Sequence, residues 1–358
     1  MRLKHFRISN FRNIEKAEIV LEGYRHFFCG PNGQGKTNML EAIGLLTAMR
    51  SFRTTKRLPL IREEQPHANV RAEVLMNGLD DENSTQVDIH LSRVLRNARV
   101  DEAPIEKFSD FLGQFPTVVF SSEDIQLLRG SPSGRRRFFD LVLSFGDPRY
   151  LQSLRKYHKT LKQRNALLKF SDPYSQIPSF DQLLAPIAAH LIHLRVELLA
   201  ELDQYLKNFY SKIADNPAEV PDLQYSQAKV ARSEEEVLDL LQHNLERDIS
   251  SGSTSHGPHR DDFLFLFNGK SAMEFASEGQ QRAWVLSLRF AQYLYFREKS
   301  GTDPIILADD ILGELDPERR KRFWKAIDPM TQVIATGTSL PDDAEPWQTF
   351  SVVNGTFA

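Results

Sequence analysis

One segment constrains the fold more than any other: a glycine-rich loop between a predicted strand and a predicted helix. The loop reads Gly30-Pro31-Asn32-Gly33-Gln34-Gly35-Lys36-Thr37, which matches G-x-x-x-x-G-K-[ST]. An apolar run precedes it at residues 26–29, and apolar residues at helical spacing follow it. Glycines let backbone N–H groups turn toward a phosphate, the lysine reaches the β- and γ-phosphates, and the threonine hydroxyl binds Mg²⁺. The pattern predicts an α/β nucleotide-binding fold, and the alternative is a glycine turn with an exposed lysine.

Two acidic residues follow a second apolar run. Residues 304–308 are apolar and lead directly into Asp309 and Asp310, at the strand end where open α/β sheets bind ligands. In phosphate-loop sites the first acid serves Mg²⁺, and the next orients or activates the attacking water. Asp309 is therefore the metal candidate and Asp310 the candidate base. The alternative is a strand that ends in a solvated pair of acids.

A third element begins at Ser277, in the sequence Ser277-Glu278-Gly279-Gln280-Gln281-Arg282. A strongly apolar helical run follows it. A serine and a glycine at a helix N-terminus form an anion-binding surface, so the chain would carry two half-sites for one nucleotide. As a local pattern alone, an ordinary capped helix explains this segment.

The chain has 358 residues, enough for two domains or for one large domain with an insertion. Strand-like runs dominate up to about residue 120, an antiparallel pair of helices is predicted up to about residue 213, and mixed character returns after residue 256. We therefore predict a discontinuous α/β head, residues 1–128 and 245–358, interrupted by a mainly helical lobe, residues 129–244. No run reaches the ~18 apolar residues of a membrane span, and we expect no signal peptide.

Charge is distributed unevenly along the chain. The formal net charge is −3, yet residues 121–170 hold eleven Lys or Arg and four Asp or Glu, a net charge of +7. The candidate DNA-contacting residues on predicted helices of this segment are Arg135, Arg136, Arg137, Arg155, Lys156, Lys159 and Lys162. Such helix faces can neutralise phosphates, and a solvated helix face is the alternative. Because no base-reading motif is present, we predict recognition of shape and charge.

Two other groups of residues have simpler interpretations. The single cysteine, Cys29, excludes an intramolecular disulfide, fits a reducing cytoplasm, and is best explained as a small buried hydrophobe. The segment that contains His256, His259, Asp261 and Asp262 could suggest metal ligands. Its spacing suits such ligands only loosely, so we predict a structural or domain-interface role.

Together these motifs resemble those of a known family. The early phosphate loop, the distant Ser-x-Gly-Gln signature, Asp309-Asp310 and Gly313-Glu314-Leu315-Asp316 resemble the ABC-type ATPase heads of the structural-maintenance-of-chromosomes class. In that class a helical arm interrupts the head. Within it, the chain is similar to the bacterial recombination-repair ATPases. The segments that carry this similarity are 8–13, 50–54, 130–140, 164–169, 257–262 and 279–282.

The resemblance implies ATP and Mg²⁺ as cofactors and assigns roles to motif residues. The residues that would bind the nucleotide are Gly30, Pro31, Asn32, Gly33, Gln34, Gly35, Lys36, Thr37, Asn38 and Arg12. Those implied at the metal are Thr37, Asp309 and Gln65, of which Gln65 is equally well explained as a surface-loop residue. The signature residues Ser277, Gly279 and Gln280 would contact ATP held by a second copy, so that ATP closes a homodimer with Asp316 at its interface.

Two departures from the wider ABC pattern bear on catalysis. Asp310 stands where many relatives have Glu, and the segment 333–338, which would carry a switch histidine, contains none. Lys36 and Asp310 are the implied catalytic residues. A shorter carboxylate and a missing histidine weaken the positioning of water and γ-phosphate, so we expect slow hydrolysis.

The resemblance implies an ATP-dependent DNA-binding clamp with weak, DNA-stimulated ATPase activity. Expected partners are double-stranded DNA and gap junctions, RecR, and RecO and RecA in the same pathway. Alternatives are a chromosome-organising or DNA-end-processing head, an ABC transporter subunit, and a DNA binder with a vestigial site. The transporter is disfavoured because its signature would lie much closer to Lys36 and it would carry a switch histidine.

Overall fold

The computed structural model describes residues 1–76, 84–169, 174–214, 216, 218–226, 233–311, 317–340 and 346–358. The chain forms two compact units: unit 1 comprises Met1–Glu123 and Gln292–Ala358, and unit 2 comprises Asp124–Ala291. Unit 2 therefore interrupts unit 1 between residues 124 and 291, and the predicted domain boundaries at residues 129 and 244 stay predictions. Residues 245–291, which we predicted in the head, lie in unit 2. Their assignment to the ATPase head stays a prediction.

The first sheet of unit 1 is antiparallel, with the order β2-β1-β4-β5-β6-β7. Its strands are β1 (Arg2–Phe11), β2 (Ile14–Val20), β4 (His67–Leu75), β5 (Ser84–Ser92), β6 (Arg96–Val100) and β7 (Ala103–Pro104). Leu3 and Phe6 of β1 are both buried, although residues three apart in a regular strand face opposite sides. A register shift between Leu3 and His5 accounts for this. The bulge returns the apolar side chains of β1 to one face.

The second sheet of unit 1 has the order β15-β14-β3-β13-β12-β8 and is parallel from β14 to β8. Its strands are β3 (Arg25–Cys29), β8 (Thr117–Ser121), β12 (Ile305–Asp309), β13 (Val333–Gly337), β14 (Gln348–Val353) and β15 (Thr356–Phe357). Three helices lie wholly within unit 1: α1 (Lys36–Ala48), α2 (Phe108–Phe111) and α11 (Pro317–Ala326). A 3₁₀ turn lies at Leu58–Leu60. Because the strands are parallel, the carboxyl ends of β3, β12 and β13 meet at one edge.

One hydrophobic core joins the two sheets of unit 1 to α1. It includes Phe6 and Val70 from the first sheet, Leu40 and Ile43 from α1, and Leu307 from the second sheet, all at most 1% exposed. Each such side chain contributes roughly 1.5–3 kcal/mol on burial. This core fixes α1 against β12, so the loop before the helix and the acids after the strand share one edge.

Unit 2 combines helices with a small sheet of order β11-β10-β9. Its strands are β9 (Pro221–Tyr225), β10 (Phe263–Phe267) and β11 (Lys270–Ser271). Its helices, of which the last continues into unit 1, are α3 (Ile125–Arg129), α4 (Pro132–Gly146), α5 (Pro148–Leu167), α6 (Ile177–Ile213), α7 (Glu234–His243), α8 (Leu245–Ser251), α9 (Ala272–Phe275) and α10 (Glu278–Ser300).

The first helix of the predicted pair is two helices in the structure. The break lies at Asp147, whose side chain accepts a hydrogen bond from the Arg149 N–H at 2.8 Å and caps α5. Pro148 follows at the first helical position, where its missing N–H is not needed. The sequence Asp147-Pro148 signals the start of a helix, which the periodicity of apolar residues alone does not show.

Segment 257–262 connects the helices of unit 2 to its sheet. Arg195, on α6 and 1% exposed, donates to the Pro258 carbonyl at 2.6 Å, and the Tyr157 hydroxyl lies 2.6 Å from His259 Nδ1. Asp262 accepts two hydrogen bonds from Arg135. Within the described ranges, no group of three or more His, Cys, Asp or Glu is placed to hold a metal ion. These contacts fit the predicted structural role of the segment.

Helix α6 is long enough and apolar enough to cross a membrane, judged by length and composition alone. The mean hydropathy of its most apolar stretch is 1.5. Half of that stretch is buried within the protein. A core helix of a soluble protein can have the same length and composition. Asp181 and Arg195 of α6 are buried in ion pairs with Arg164 and Asp140, which indicates packing against protein.

His26, on β3, is fully buried and neutral. Its Nδ1 lies 2.9 Å from Gln348 Oε1, and its Nε2 lies 3.1 Å from the Gln332 amide nitrogen. The Gln332 oxygen accepts the Leu3 N–H at 2.6 Å, so the amide donates to the ring and Nε2 is an acceptor. Burial lowers the pKa of His26 to about 4.

We expect the stability of unit 1 to fall as the pH drops from about 6.5 toward 4, because the unfolded histidine binds a proton that the folded one excludes. The free energy of unfolding that depends on neutral His26 is fully present above the pKa of the unfolded histidine. It is lost below that pKa by at most about 1.4 kcal/mol per pH unit. Urea unfolding between pH 7.5 and 4.5 measures the effect. His26→Gln should flatten the dependence, and an unchanged slope would contradict the assignment.

Candidate nucleotide-binding site

The glycine loop adopts the conformation that the sequence predicts. It connects β3 to α1, with Gly33 at φ 79° and Gly35 at φ 114°, values that favour glycine. Gly30 is required for a different reason, since a Cβ there would lie 2.3 Å from the Val352 carbonyl oxygen of β14. The loop is therefore packed closely against the neighbouring strand.

Lys36 closes the loop from inside. Its side chain is buried, and Nζ donates to the carbonyl oxygens of Gly30 at 2.7 Å and Pro31 at 3.0 Å. A weaker contact of 3.4 Å joins Nζ to Asn32 Oδ1. The ammonium is thus held at the centre of the loop, where it can act as a point charge toward a phosphate.

Two threonines orient Asp309 at the end of β12. Thr37 Oγ1 donates to Asp309 Oδ1 at 2.8 Å, and Thr336 Oγ1, at the end of β13, donates to the same oxygen at 3.0 Å. Burial raises the pKa of Asp309, while these two hydrogen bonds oppose the rise. The structure therefore brings the predicted metal pair Thr37 and Asp309 into direct contact.

Asp310 and Thr336 form a second connection across the strand ends. Asp310 has a left-handed backbone at φ 54°, and its N–H donates to Thr336 Oγ1 at 3.1 Å. One hydroxyl therefore fixes both acids. The sequence analysis did not predict a role for Thr336, although Thr336 lies within segment 333–338, the segment that would carry a switch histidine. Its position at the end of a parallel strand was the available signal.

Glu41 is another residue that sequence reasoning missed. It lies on α1, is fully buried, and accepts two hydrogen bonds from Arg12 at 2.8 and 2.7 Å. Ser51 also donates to it, and Arg53 Nη1 lies 3.5 Å away. An acid between buried apolar positions of a helix was the signal for a paired carboxylate. The Arg12 guanidinium is engaged here, and its contact with nucleotide stays a prediction.

The glycine loop is braced from outside by two turns. The Gln34 carbonyl accepts the Gly355 N–H at 2.8 Å and the Asn13 side-chain amide at 3.3 Å. The Gln34 side chain accepts the Asn354 N–H at 2.7 Å. Asn38, at the start of α1, donates to the Asn13 side chain at 2.8 Å. The β1–β2 and β14–β15 turns therefore hold the loop from two sides.

Gly355→Ala is expected to weaken ATP binding about 5–10-fold, equivalent to about 1–1.4 kcal/mol. At φ 75° a side chain is strained, and its Cβ would lie 2.9 Å from the Asn13 carbonyl oxygen, which pushes the brace away from the loop. Gly23→Ala is a matched control, because its φ of 76° imposes the same strain with nothing within 4 Å. Titration with a fluorescent ATP analogue measures both variants, and equal affinities would contradict the bracing role.

Gln65 and Asp316 are not joined to this constellation by the structure. Gln65 is half-buried, and its N–H donates to the Arg62 carbonyl at 3.1 Å. No hydrogen bond to Thr37 or Asp309 is found for it in the described part of the chain. Asp316 lies outside the described residues. Both assignments stay predictions.

The signature lies in unit 2, at the start of α10. Ser277 is exposed, its Oγ accepts the Gln280 N–H at 3.3 Å, and the Gln280 side chain accepts the Ser277 N–H at 2.8 Å. This is the reciprocal arrangement of a capping box. Gln280 also donates to Glu219 at 3.0 Å, and Gly279 is half-buried. The structure therefore shows a capped helix with an exposed N-terminus, and anion binding there stays a prediction.

The predicted DNA-contacting residues fall into two groups. Arg135 forms a bidentate ion pair with Asp262, and Arg136 donates to the Asp261 carbonyl at 2.7 Å, so both connect α4 to segment 257–262. The exposed members are Arg137, Arg155, Lys156, Lys159 and Lys162. DNA contact stays a prediction for all seven, and the exposed group is the better one to test.

The hydrogen-bond donors and oxygen ligands at this site of unit 1 suit a nucleoside triphosphate with a divalent cation. Loop N–H groups, the α1 N-terminus and the Lys36 ammonium attract phosphate oxygens. Thr37 and Asp309 present hard oxygen ligands of the type that Mg²⁺ prefers. Asp310 and Thr336 are joined at the same strand ends, and their role toward an attacking water stays a prediction. The arrangement defines the phosphate-loop half of an ABC-type ATPase head.

Comparisons with known proteins agree with this class. Residues 2–340 match the model of the RecF/RecN/SMC N terminal domain family, so the chain belongs to that family. The Smc head domain of Pyrococcus furiosus shares the fold, with a TM-score of 0.54 at 14% identity, covering 99% of this chain and 94% of that one.

Within that family the chain belongs with the RecF proteins. It is 38% identical to the DNA replication and repair protein RecF of Geobacter sulfurreducens over 89% of this chain and 87% of that protein. It is 36% identical to RecF of Streptococcus thermophilus over 99% and 98% of the two chains. A solved recombination mediator protein RecF-ATP of the RecFOR pathway matches with a TM-score of 0.91 at 30% identity, covering 99% of this chain and 96% of that one.

Proposed function

We propose that this protein is an ATP-dependent DNA-binding clamp of recombinational repair and replication restart. The observation that carries the proposal is the contact of Thr37 with Asp309 beside the loop that Lys36 closes. It is supported by the similarity to a DNA replication and repair protein RecF and to a solved RecF-ATP structure. A chromosome-organising head is not favoured, since its solved relatives match at much lower similarity.

ATP would close a homodimer in which each signature contacts the nucleotide of the other copy. Two features support this. The loop in unit 1 supplies the phosphate cradle, and Ser277 presents an exposed helix N-terminus in unit 2, which attracts anions. The Ser277 hydroxyl would exchange its capping hydrogen bond for one to the γ-phosphate.

Mg²⁺ would bind Thr37 and Asp309, and hydrolysis would be slow and stimulated by DNA. Asp310 would orient water, with Thr336 in place of a histidine. A hydroxyl that already serves two acids cannot also stabilise the γ-phosphate as a free donor does. We expect turnover below ~1 s⁻¹, the low end of ordinary enzymes.

Double-stranded DNA and gap junctions would be the substrates of the clamp, in the cytoplasm. RecR would be the direct partner, with RecO and loading of RecA in the same pathway. The RecFOR name of the solved relatives supports this assignment. The exposed cations of α5 are suited to phosphate contact.

Size-exclusion chromatography with light scattering, with and without ATP and gapped duplex DNA, tests the proposal. Wild type should dimerise with ATP and bind DNA more tightly. Lys36→Met should lose ATP binding, and Ser277→Arg should bind ATP but stay monomeric. If ATP changes neither the mass nor the DNA affinity of wild type, the clamp is excluded.

A further inference from the structure

Unit 1 carries a basic surface that adjoins the nucleotide site at Arg53, which contacts Asn38 and Glu41. Two segments, residues 50–62 and 92–96, hold seven Lys or Arg and no Asp or Glu in a chain whose net charge is −3. The first follows α1, and the second is the turn between β5 and β6. We call them together the hairpin surface.

Hydrogen bonds join the two segments of the hairpin surface. Arg57 Nη1 donates to the Val94 carbonyl at 2.7 Å, and Arg96 Nη1 donates to the Met49 carbonyl at 2.7 Å. Burial lowers the pKa of Arg96, and the positive charges of Arg50 and Arg57 lower it further. Several guanidinium groups are therefore gathered closely enough to repel one another.

Three exposed cations of this surface lack a carboxylate partner among the described residues. Lys56, Arg57 and Arg93 are exposed, and none of the ion pairs among the described residues includes them. By contrast, Arg53 and Arg62 pair with Glu41 and Glu15. A cluster of like charges without counter-charges is unfavourable in the isolated protein and is stabilised by a bound polyanion.

The tip of the β5–β6 hairpin is unusual for a turn. Val94 and Leu95 are 85% and 57% exposed, although turns favour Gly, Asn, Asp and Ser. Ser92 closes the turn by accepting the Leu95 N–H at 2.9 Å and donating to the Leu95 carbonyl at 3.0 Å. The aliphatic side chains are therefore not needed for the turn.

We propose that the hairpin surface binds duplex DNA, with Lys56, Arg57 and Arg93 on backbone phosphates and the Val94-Leu95 tip in a groove. A two-stranded β-ribbon fits the major groove, where apolar side chains can contact the methyl group of thymine. The inference rests on the proposed function, which requires contact with DNA and for which the α5 cations are one candidate surface. It adds a second candidate surface, in unit 1.

DNA affinity of the ATP-bound protein, measured by fluorescence anisotropy with a labelled gapped duplex from 50 to 300 mM salt, tests this surface. Lys56→Glu/Arg93→Glu should weaken binding at least 10-fold at 100 mM salt and reduce the slope of log affinity against log salt by about 2, one per lost phosphate contact. Val94→Ser/Leu95→Ser should weaken binding about 3–10-fold with the slope unchanged, because it removes no charge.

Lys16→Glu/Lys325→Glu is the matched control, since it reverses two exposed lysines of unit 1 elsewhere and produces the same net charge. If the Lys56/Arg93 variant binds like this control, the surface is excluded while the clamp stands. If it loses binding to RecR but keeps its DNA affinity, a protein interface replaces the proposal. If wild type gains no DNA affinity with ATP, the proposed function itself has failed.

Discussion

Replacing Arg164 by methionine is expected to lower the free energy of unfolding of unit 2 by about 3–5 kcal/mol. Arg164 is fully buried on α5 and pairs with Asp181 at 2.6 Å and Asp248 at 2.7 Å, each 1% exposed. It also donates to Thr254 Oγ1 at 2.7 Å. Methionine fills similar space but leaves two buried carboxylates without a counter-charge.

The deficit should depend on pH with a definite sign. Burial already raises the pKa of Asp181, and Arg164 opposes that rise. Without the arginine the carboxyl binds a proton more readily in the folded state, so the variant should recover stability relative to wild type as the pH falls from 7 toward 5. Denaturant titrations monitored by intrinsic fluorescence measure both effects.

Lys162→Met is the control for this substitution, because Lys162 is an exposed residue of the same helix and its loss should change stability by less than about 0.5 kcal/mol. The double variant Arg164→Met/Asp181→Asn should recover part of the deficit, since it removes one of the unpaired charges. A loss near that of the control would show that the buried network contributes little to unit 2.

The phosphate loop and the first acid were predictable because their spacing encodes their geometry. A strand, a glycine loop and a helix in sequence leave few arrangements for Lys36 and Thr37. An apolar strand that ends in Asp309 must deliver that side chain to the same edge of a parallel sheet. The structure confirms the predicted α/β class, since two sheets share one core with α1, and it brings Thr37 into contact with Asp309.

The contacts of the supporting residues were not predictable, because their partners are distant in the chain, although Thr336 and Glu41 each carry a local signal. Only the pairing of β13, the burial of α1 and the β14–β15 turn give Thr336, Glu41 and Gly355 their roles. The same limit applies to the charge clusters. Arg135 forms an ion pair with Asp262, 127 residues away, a contact that its local sequence does not show, and its predicted DNA contact stays a prediction.

Asp310→Asn is expected to lower the rate of ATP hydrolysis at saturating ATP and Mg²⁺ about 10²–10³-fold, within the range for loss of a general base. Asparagine is isosteric and tolerates the left-handed φ of 54°, so the backbone and the hydrogen bond to Thr336 are retained. ATP affinity should stay within about 3-fold, because the substitution removes neither loop donors nor the Thr37–Asp309 contact. The ATP-bound dimer should therefore persist longer on DNA.

Thr336→Val separates positioning from chemistry at the same site. It removes the donor to Asp309 and the acceptor for the Asp310 N–H, and we expect hydrolysis to fall about 10–100-fold, about 1.4–2.7 kcal/mol in the barrier. Thr338→Val is the matched control, since Thr338 is exposed two residues further along. Single-turnover hydrolysis of all three variants, beside ATP titrations, decides the roles. If Asp310→Asn hydrolyses ATP as fast as wild type, the base lies elsewhere, and if Thr336→Val matches Thr338→Val, the bridging hydroxyl has no part in orienting the acids.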